Sequence, residues 1–180
     1  MTTLSTPNGG LRIALSRAWR QQRTKELRTR FGPEYERTVE RTDGRRRAES
    51  ELRAREQRRE RLDIRSIPPN ERERYVAAWR QVQASFVDRP ALALQEADAL
   101  VHDLMRGCGY PMNRFEQRAA DVSVDHPYVV ENYRAAHDVS VRAEEGDAGI
   151  EDMRQGLVHY RALFEELLDV DRVSDLREVR

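Results

Sequence analysis

The chain has 180 residues, of which 38% are hydrophobic and 36% are charged, and its formal net charge is zero. Apolar residues this numerous and this clustered argue against a wholly unfolded chain, and no stretch approaches the roughly 20 apolar residues that a membrane-spanning helix needs. Cys108 is the single cysteine, which excludes an internal disulfide and favours a reducing compartment. The sequence therefore predicts a cytoplasmic protein.

Charge is divided unevenly between the two halves of the chain. Residues 1–90 hold 22 basic and 13 acidic side chains, a net charge of +9, whereas residues 91–180 hold 10 and 19, a net charge of −9. The first half therefore suits an anionic partner, but the two halves could equally attract each other, within one chain or between two chains. Both interpretations stay open at this stage.

The N-terminal part of the chain has the pattern of a tail followed by basic helices. Residues 1–10 are mostly small and turn-forming, which predicts a flexible tail. Residues 11–30 carry apolar side chains, Trp19 among them, on one helical stripe between arginines. Pro33 follows a glycine and is well placed at the start of a second helix, which the pattern extends to about Arg41.

A strongly charged helix is predicted over residues 44–62. The stretch 41–62 holds nine arginines and five acids, and no aromatic residue occurs between positions 36 and 74. Such a segment cannot bury a core of its own, so it is either an exposed arm or it lies against something else. Half of its heptad seam is arginine, which is poor for an autonomous coiled coil. The seam consists of Arg45, Ala48, Leu52, Arg55, Arg59 and Leu62.

The clearest boundary in the sequence is Ile67-Pro68-Pro69. Two consecutive prolines interrupt any helix, and Asn70, with Glu73 three positions later, is the predicted N-cap of the next helix. The predicted organisation is a flexible tail (1–10), a basic charged helical arm (11–66), a helical bundle (67–169) and a polar C-terminal tail (170–180).

Beyond this boundary, apolar residues recur with helical spacing in four substantial segments and one short one. The four helices are expected at about 71–87, at 91–106, from Pro127 to about Val141, and at 150–168, and the short helix is expected from an Asn113 cap to about Asp121. Short connections favour antiparallel neighbours, so the predicted fold is all-α: an arginine-rich helical arm followed by a compact antiparallel helical bundle. The predicted core positions are Tyr75, Trp79, Val82, Phe86, Leu94, Ala97, Val101, Leu104, Met105, Val129, Val130, Tyr133, Ala136, His137, Val141, Ile150, Met153, Leu157, Tyr160, Phe164, Leu167 and Leu168.

Three residues before Pro127 are the strongest candidates for chemistry. Asp121, Asp125 and His126 are close together around a predicted linker, Ser123–His126, and a carboxylate beside an imidazole can perform acid–base catalysis. The same residues also suit helix ends, because Asp121 would end one helix and Asp125 or His126 would cap the next. We favour the capping interpretation.

No other catalytic, metal or cofactor motif is found in the sequence. The four histidines lack the spacing of a zinc site, and glycine-rich phosphate loops do not occur. Cys108 has no basic neighbour in sequence that would activate its thiol. The sequence therefore predicts neither a cofactor nor a metal site.

The arginines of the arm are the candidate contacts for an anionic partner. A solvated helix with internal ion pairs is the simplest explanation of the charged helix, because glutamates dilute its basic face. The helix over residues 11–30, with Trp19 on its apolar stripe, is the better candidate for an anionic membrane surface, and nucleic acid is a weaker alternative. The candidate residues are Arg17, Arg20, Arg23, Arg45, Arg46, Arg47, Arg58 and Arg59.

Several blocks of the sequence resemble an uncharacterised bacterial family that is frequent in actinobacteria. In that family a hydrophobic membrane segment often precedes an arginine-rich stretch, whereas residues 1–24 here are polar and basic. The resemblance implies a helical protein and supplies no catalytic residues. Because residues 1–24 are polar, it is compatible with peripheral contact with a membrane and not with an anchored protein. The blocks are FGPEY (31–35), RRRAESELRAREQRRERLDIR (45–65), WRQVQASFVD (79–88), GYP (109–111) and, most specifically, FEQRAADVSVDHPYVVENYRAAH (115–137).

These observations favour a non-enzymatic interaction or scaffold protein, in which a charged arm presents a helical domain to a protein partner or to a second copy of the chain. The first alternative is peripheral binding of an anionic membrane or nucleic acid through the arm. The second, with the least support, is an enzyme centred on Asp121, Asp125 and His126.

Overall fold

All regular secondary structure in the described part of the protein is α-helical, as the sequence predicts. The structure is a computed structural model that describes the backbone of residues 8–168 and the side chains of Trp19 and residues 21–168. Within these residues there are eight helices and no strand. The helices are α1 (Asn8–Phe31), α2 (Pro33–Arg41), α3 (Arg45–Arg59), α4 (Pro69–Ser85), α5 (Pro90–Gly107), α6 (Phe115–Asp125), α7 (Val130–Glu145) and α8 (Ile150–Leu168).

The chain divides into two compact units, Met1–Ala54 and Arg55–Arg180. The division falls inside α3, so the last turn of that helix belongs to the second unit. The basic arm was expected to end at residue 66, whereas residues 55–66 belong to the same compact unit as the later helices. The polar tail predicted for 170–180 lies outside the described residues.

In the first unit, α1 and α2 contact each other across a tight turn. The backbone N–H of Gly32 bonds the Arg28 carbonyl at 2.9 Å, and Pro33 then begins α2 as predicted. The helix α1 begins at Asn8, so residues 8–10 are helical and the prediction of a flexible tail is wrong for them. Among the side chains of this unit that the structure describes, the buried apolar ones are Leu27, Phe31, Tyr35, Ala48 and Leu52.

In the second unit, α8 packs against both α5 and α7, while α4 contacts α5 and α6 contacts α7. Gly156 permits this close approach of α8, because a Cβ atom there would lie 2.9 Å from Val139 Cγ1 and 3.0 Å from Leu94 Cδ1. The core around these helices is continuous. Its largest fully buried members are Ile67, Leu94, Leu104, Met105, Tyr133, Tyr160, Leu163 and Leu167.

Two predicted core positions are wrong. Val141 and Ile150 are exposed by 39% and 66%. The buried face of α7 contains Tyr133, Ala136 and Ser140, which are three and seven positions apart, and Val141 lies about 100° around the helix from Ser140. Ile150 is the first residue of α8, where the helix begins at the edge of the packed region.

The predicted N-caps are also wrong. The helix α4 begins at Pro69, after Pro68 rather than Asn70, and the carbonyl of Pro68 accepts the first two backbone bonds of the helix. The helix α6 follows Arg114 rather than Asn113, and neither helix has a side-chain cap hydrogen bond. Proline at the first helical position fixes the backbone there without a capping side chain, which explains the start of α4.

Candidate functional sites

The candidate catalytic segment is helical rather than a linker. The helix α6 continues to Asp125, and His126 is its C-cap with φ −127° and ψ 59°, so the predicted linker Ser123–His126 is wrong. Pro127 disfavours a helical conformation at the residue before it, which explains why the helix stops there and not at Asp121. A short turn then leads to α7, which begins at Val130 rather than at Pro127.

The capping roles that we favoured from the sequence are not found either. Asp121 lies within α6 and does not end it. The N-cap of α7 is Val129, and no side chain caps that helix, so neither Asp125 nor His126 performs this role.

The acids of α6 instead hold the last turn of α3. Asp121 and Asp125 are four positions apart, so they share one face of α6, and the facing arginines of α3 are also within about one turn of each other. All of these residues belong to the second unit. We call this set the clamp: Arg55, Arg58, Arg59, Asp121, Ser123 and Asp125.

The clamp contains two ion pairs whose carboxylates have little access to solvent, while the side chain of Arg58 is 39% exposed. Arg59 Nε donates to Asp125 Oδ2, and these side chains are only 22% and 10% exposed. Arg58 Nε lies 3.5 Å from Oδ1 of Asp121, whose side chain is 3% exposed. The same oxygen accepts a bond of 2.8 Å from Gln117 Nε2 one turn earlier. Both carboxylates are therefore charge partners for arginines.

Two hydroxyl groups, of Ser123 and of Tyr110, form hydrogen bonds with charged members of the clamp. Arg55 is buried, and its Nη1 atom donates to Ser123 Oγ at 3.1 Å. The Tyr110 hydroxyl donates to Asp125 Oδ2 at 3.1 Å, and burial together with that carboxylate raises the pKa of Tyr110 well above its ordinary value. The heptad seam that looked unsuited to a coiled coil thus places Arg55 and Arg59 against polar groups of α6.

His126 is buried, and its hydrogen bond is with a residue other than the two acids. Its Nδ1 atom lies 3.1 Å from Glu166 Oε1 on α8, and this hydrogen bond lowers the pKa of Glu166. Asp125 bonds Arg59 and Tyr110, as described above, so the structure gives no hydrogen bond between this carboxylate and the imidazole. The arrangement supports packing of α6 more directly than acid–base chemistry.

A basic groove of about 550 Å³ lies in the first unit, between α1 and the start of α3. Among the described residues, four cationic side chains and one carboxylate line it. The carboxylate, on Glu49, accepts hydrogen bonds from Thr24 at 2.7 Å, from Tyr35 at 3.1 Å and from Arg53 at 3.3 Å, so its charge is already engaged. The groove is lined by Gln21, Thr24, Lys25, Arg28, Arg45, Arg46 and Glu49.

The candidate anion contacts fall into different environments. Arg45 and Arg46 line the basic groove, and Arg47 is exposed on the same helix. The guanidinium group of Arg23 lies 4.4 Å from the centre of the Trp19 ring. The side chains of residues 17 and 20 (Arg17 and Arg20) lie outside the described residues. Arg58 and Arg59 belong to the clamp, where carboxylates already balance them.

A polar cluster that the sequence did not predict joins four helices of the second unit. His102 on α5 bonds through both ring nitrogens: Nδ1 lies 3.2 Å from Asp98 Oδ2, and Nε2 lies 3.1 Å from the Tyr133 hydroxyl. Arg118 on α6 reaches the same place, with Nη2 at 2.9 Å from His102 Nε2 and Nε at 3.0 Å from the Tyr133 hydroxyl. Because Asp98 can only accept when it is ionised, the proton of a neutral His102 belongs on Nδ1.

The fourth helix enters the cluster through Tyr160. Its hydroxyl donates to Asp98 Oδ1 at 2.6 Å and lies 3.0 Å from Ser140 Oγ. Burial raises the pKa of both Tyr133 and Tyr160, so these phenols stay protonated. Both tyrosines are 0% exposed, which keeps a solute from reaching their hydroxyl groups. The cluster therefore acts as an internal hydrogen-bond network that fixes α5, α6, α7 and α8 together.

Acidification is expected to weaken this cluster. Burial lowers the pKa of His102, so the folded state favours the neutral imidazole, and its stabilising effect is present above the ordinary histidine pKa and is lost as the pH falls below it. A proton on Nε2 would also repel Arg118. Urea unfolding of the wild type and of His102→Gln at neutral and mildly acidic pH measures the effect. The wild type should lose more stability on acidification, and equal losses would contradict this role.

The other residues with potentially reactive side chains, Cys108, His137 and His159, are engaged in packing or in hydrogen bonds. Burial raises the pKa of the Cys108 thiol to about 11, which keeps it protonated. The His137 ring stacks on Phe115 with centroids 3.7 Å apart, and His159 Nδ1 lies 2.8 Å from Asn132 Oδ1. Across the described residues, no group of three or more histidine, cysteine, aspartate or glutamate side chains is placed to hold a metal ion.

Comparison of the chain with protein-family models, curated proteins and solved structures finds no match. The resemblance to an actinobacterial family stays a prediction. In the described part of the chain, every helix falls short of the length and apolar character that crossing a bilayer requires.

Proposed function

We propose that the protein is a non-enzymatic interaction protein that binds an anionic membrane surface through the basic groove of its first unit. The observation that carries the proposal is the convergence of Lys25, Arg28, Arg45 and Arg46 on one groove. Two helices, α1 and α3, supply these cations. The cluster therefore depends on the packing of the two helices and is not simply the solvated face of one charged helix.

The charge of the groove is sufficient for a measurable affinity. A lysine or arginine near an anionic bilayer contributes about 1 kcal/mol. Among the described residues, four cations and one carboxylate line the groove, and Arg28 already pairs with Glu36 at 3.0 Å. The remaining net charge of +2 makes electrostatic attraction worth on the order of 2 kcal/mol, roughly thirtyfold in affinity. Salt would weaken this attraction, since surface charges are screened over about 10 Å at moderate ionic strength.

An exposed aromatic residue on α1 favours a membrane over nucleic acid. The Trp19 side chain is 60% exposed, and the Arg23 guanidinium covers its ring. Tryptophan is favoured at the boundary between lipid headgroups and acyl chains, where an adjacent arginine can meet the phosphates. The proposal places the protein at the cytoplasmic face of a membrane, with self-association or a protein partner as further ways of using the same groove.

The proposal predicts that replacing two groove arginines weakens vesicle binding. Full-length protein should co-sediment with vesicles that contain phosphatidylserine and not with vesicles of phosphatidylcholine alone. The double variant Arg45→Gln/Arg46→Gln removes two of the four cations and should lower the affinity on the order of tenfold or more. Fluorescence of Trp19 should shift to shorter wavelength on binding, because its ring leaves water.

A matched control removes the same charge elsewhere. Arg61 and Arg114 are exposed residues of the second unit that do not line the groove, so Arg61→Gln/Arg114→Gln should bind vesicles as the wild type does. Equal weakening of both double variants would show that net charge alone matters and would refute the groove. Salt-sensitive binding to DNA without binding to anionic vesicles would favour the nucleic-acid alternative instead.

The catalytic alternative draws little support from the clamp. Asp121 and Asp125 form ion pairs with arginines, and His126 Nδ1 lies 3.1 Å from Glu166. None of the three lines the basic groove. We therefore do not assign a reaction to this segment.

A further inference from the structure

The first turn of α3 carries positive charge at the end of a helix that least favours it. Arg45, Arg46 and Arg47 are the first three residues of α3, all three are exposed, and no acidic residue lies in this turn. The N-terminus of a helix bears a partial positive charge, which disfavours nearby cations. Arg45 and Arg46 also line the basic groove together with Lys25. These arginines therefore do not stabilise α3, and an anionic group lying against this turn would compensate their charge.

The end of α7 has the reverse arrangement. Glu144 and Glu145 are its last two residues, and Asp147 follows one position after the helix; all three are exposed, and we call them the acidic loop. The C-terminus of a helix bears a partial negative charge, which disfavours nearby acids. Arg142, the base in this last turn, already lies 3.5 Å from Asp152. Within the described part of the chain, no ion pair engages the acidic loop.

The backbone on both sides of the acidic loop is held by hydrogen bonds. The N–H of Asp147 bonds the Arg142 carbonyl at 2.8 Å, and the N–H of Gly149 bonds Asp152 Oδ2 at 3.1 Å. Ile150 follows with a side chain that is 66% exposed. A segment that is already ordered loses little conformational entropy when it binds. The loop therefore presents its acids and one apolar side chain in a form suited to docking.

We propose that the basic groove of one copy of this chain binds the acidic loop of a second copy. The acids of the loop lie against the first turn of α3, so charges that each helix end disfavours in isolation compensate each other across the contact. The contact joins the basic half of one copy, with a net charge of +9, to the acidic half of the other, with a net charge of −9. It uses the groove of the proposed function but does not depend on membrane binding.

Analytical ultracentrifugation of the full-length protein without lipid tests the inference. At about 10 mM ionic strength, where charges are screened least, the mean mass should rise with concentration above the 21.0 kDa of one chain, and about 1 M salt should reverse the rise. The groove variant Arg45→Gln/Arg46→Gln should raise the dissociation constant about tenfold. The loop variant, Glu144→Gln/Glu145→Gln/Asp147→Asn, should do the same.

Mixing the two variants gives the sharpest test. The groove variant keeps an intact acidic loop and the loop variant keeps an intact groove, so an equal mixture should form heterodimers although neither variant self-associates. Two misfolded chains would not recover an interaction in this way. The matched control removes three exposed acids outside the loop, Glu73→Gln/Asp88→Asn/Glu116→Gln, and should associate as the wild type does.

Three results would overturn the inference: a wild-type protein that stays monomeric at low salt, a mixture of the two variants that does not associate, or a control variant that is weakened as much as the loop variant. The test is separate from that of the proposed function, because no lipid is present. Vesicle binding that needs Arg45 and Arg46 in a chain that never self-associates would refute the contact between copies alone. Self-association without vesicle binding would refute only the membrane proposal.

Discussion

Replacing Asp125 by alanine is expected to lower the free energy of unfolding by about 3 kcal/mol. The Asp125 carboxylate accepts hydrogen bonds from Arg59 and from the Tyr110 hydroxyl, and its side chain is only 10% exposed. Alanine would leave the Arg59 guanidinium, itself only 22% exposed, without this charge partner. An uncompensated charge of this kind costs more than the intact pair contributes, because the solvation that the arginine lost on folding is no longer repaid.

Urea unfolding monitored by circular dichroism measures this loss, and Asp138→Ala is the matched control. Asp138 pairs with Arg142 at 3.6 Å on the surface of α7, where the aspartate is 76% exposed, so its removal should cost well under 1 kcal/mol. Replacement of both Arg59 and Asp125 by leucine should recover much of the lost stability. Equal behaviour of Asp125→Ala and Asp138→Ala would show that the clamp contributes nothing.

The stability of Asp125→Ala also tests the hypothesis that Asp121, Asp125 and His126 form an active site. A carboxylate kept for catalysis is often held at a cost to stability, so its removal tends to be neutral or stabilising. A large loss of stability in Asp125→Ala would mean that the acid is needed to hold the last turn of α3 on α6. A gain of stability would revive Asp121, Asp125 and His126 as an active-site hypothesis.

The sequence was sufficient to predict the helices because their signals are local. The stripe Tyr75, Trp79 and Val82 is buried as predicted, and Pro33 begins a helix where its fixed φ angle favours one. The same local reasoning failed between α6 and α7. An aspartate near a helix end and a proline after it are each compatible with the end of one helix or the start of the next. Here Pro127 follows the end of α6 and does not begin α7.

The polar sites could not be predicted because their members come together only through packing. The clamp joins residues 66 and 68 positions apart in sequence, and no periodicity of α3 shows which arginines will face an acid. The cluster around His102 offered one local signal, the (i, i+4) pair of Asp98 and His102 on α5. Its other members lie on three other helices. From the sequence alone, this pair could not be distinguished from an ordinary ion pair on a helix surface.

Gly109→Ala is expected to be among the most destabilising single substitutions in the chain, at about 3 kcal/mol or more. Gly109 has φ +92°, a conformation that costs an ordinary residue about 1–2 kcal/mol. In addition, a Cβ atom there would lie 2.2 Å from the Asp63 carbonyl oxygen. The contact is with backbone, so no side chain can rotate away. The segment after Asp63 would have to move, which would break the bond from the Arg65 N–H to the Cys108 carbonyl.

Gly146 provides a control that separates backbone strain from close contact. Its φ angle is +82°, and a Cβ atom there would meet nothing within 4 Å, so Gly146→Ala should cost only the strain, about 1–2 kcal/mol. Asparagine tolerates this backbone region better than alanine. At position 146 it should therefore be milder than alanine, whereas at position 109 it should be as damaging, because it also has a Cβ atom. Thermal and urea unfolding of the four variants would give this pattern, and similar losses for Gly109→Ala and Gly146→Ala would show that the segment containing Asp63 is not held against the end of α5.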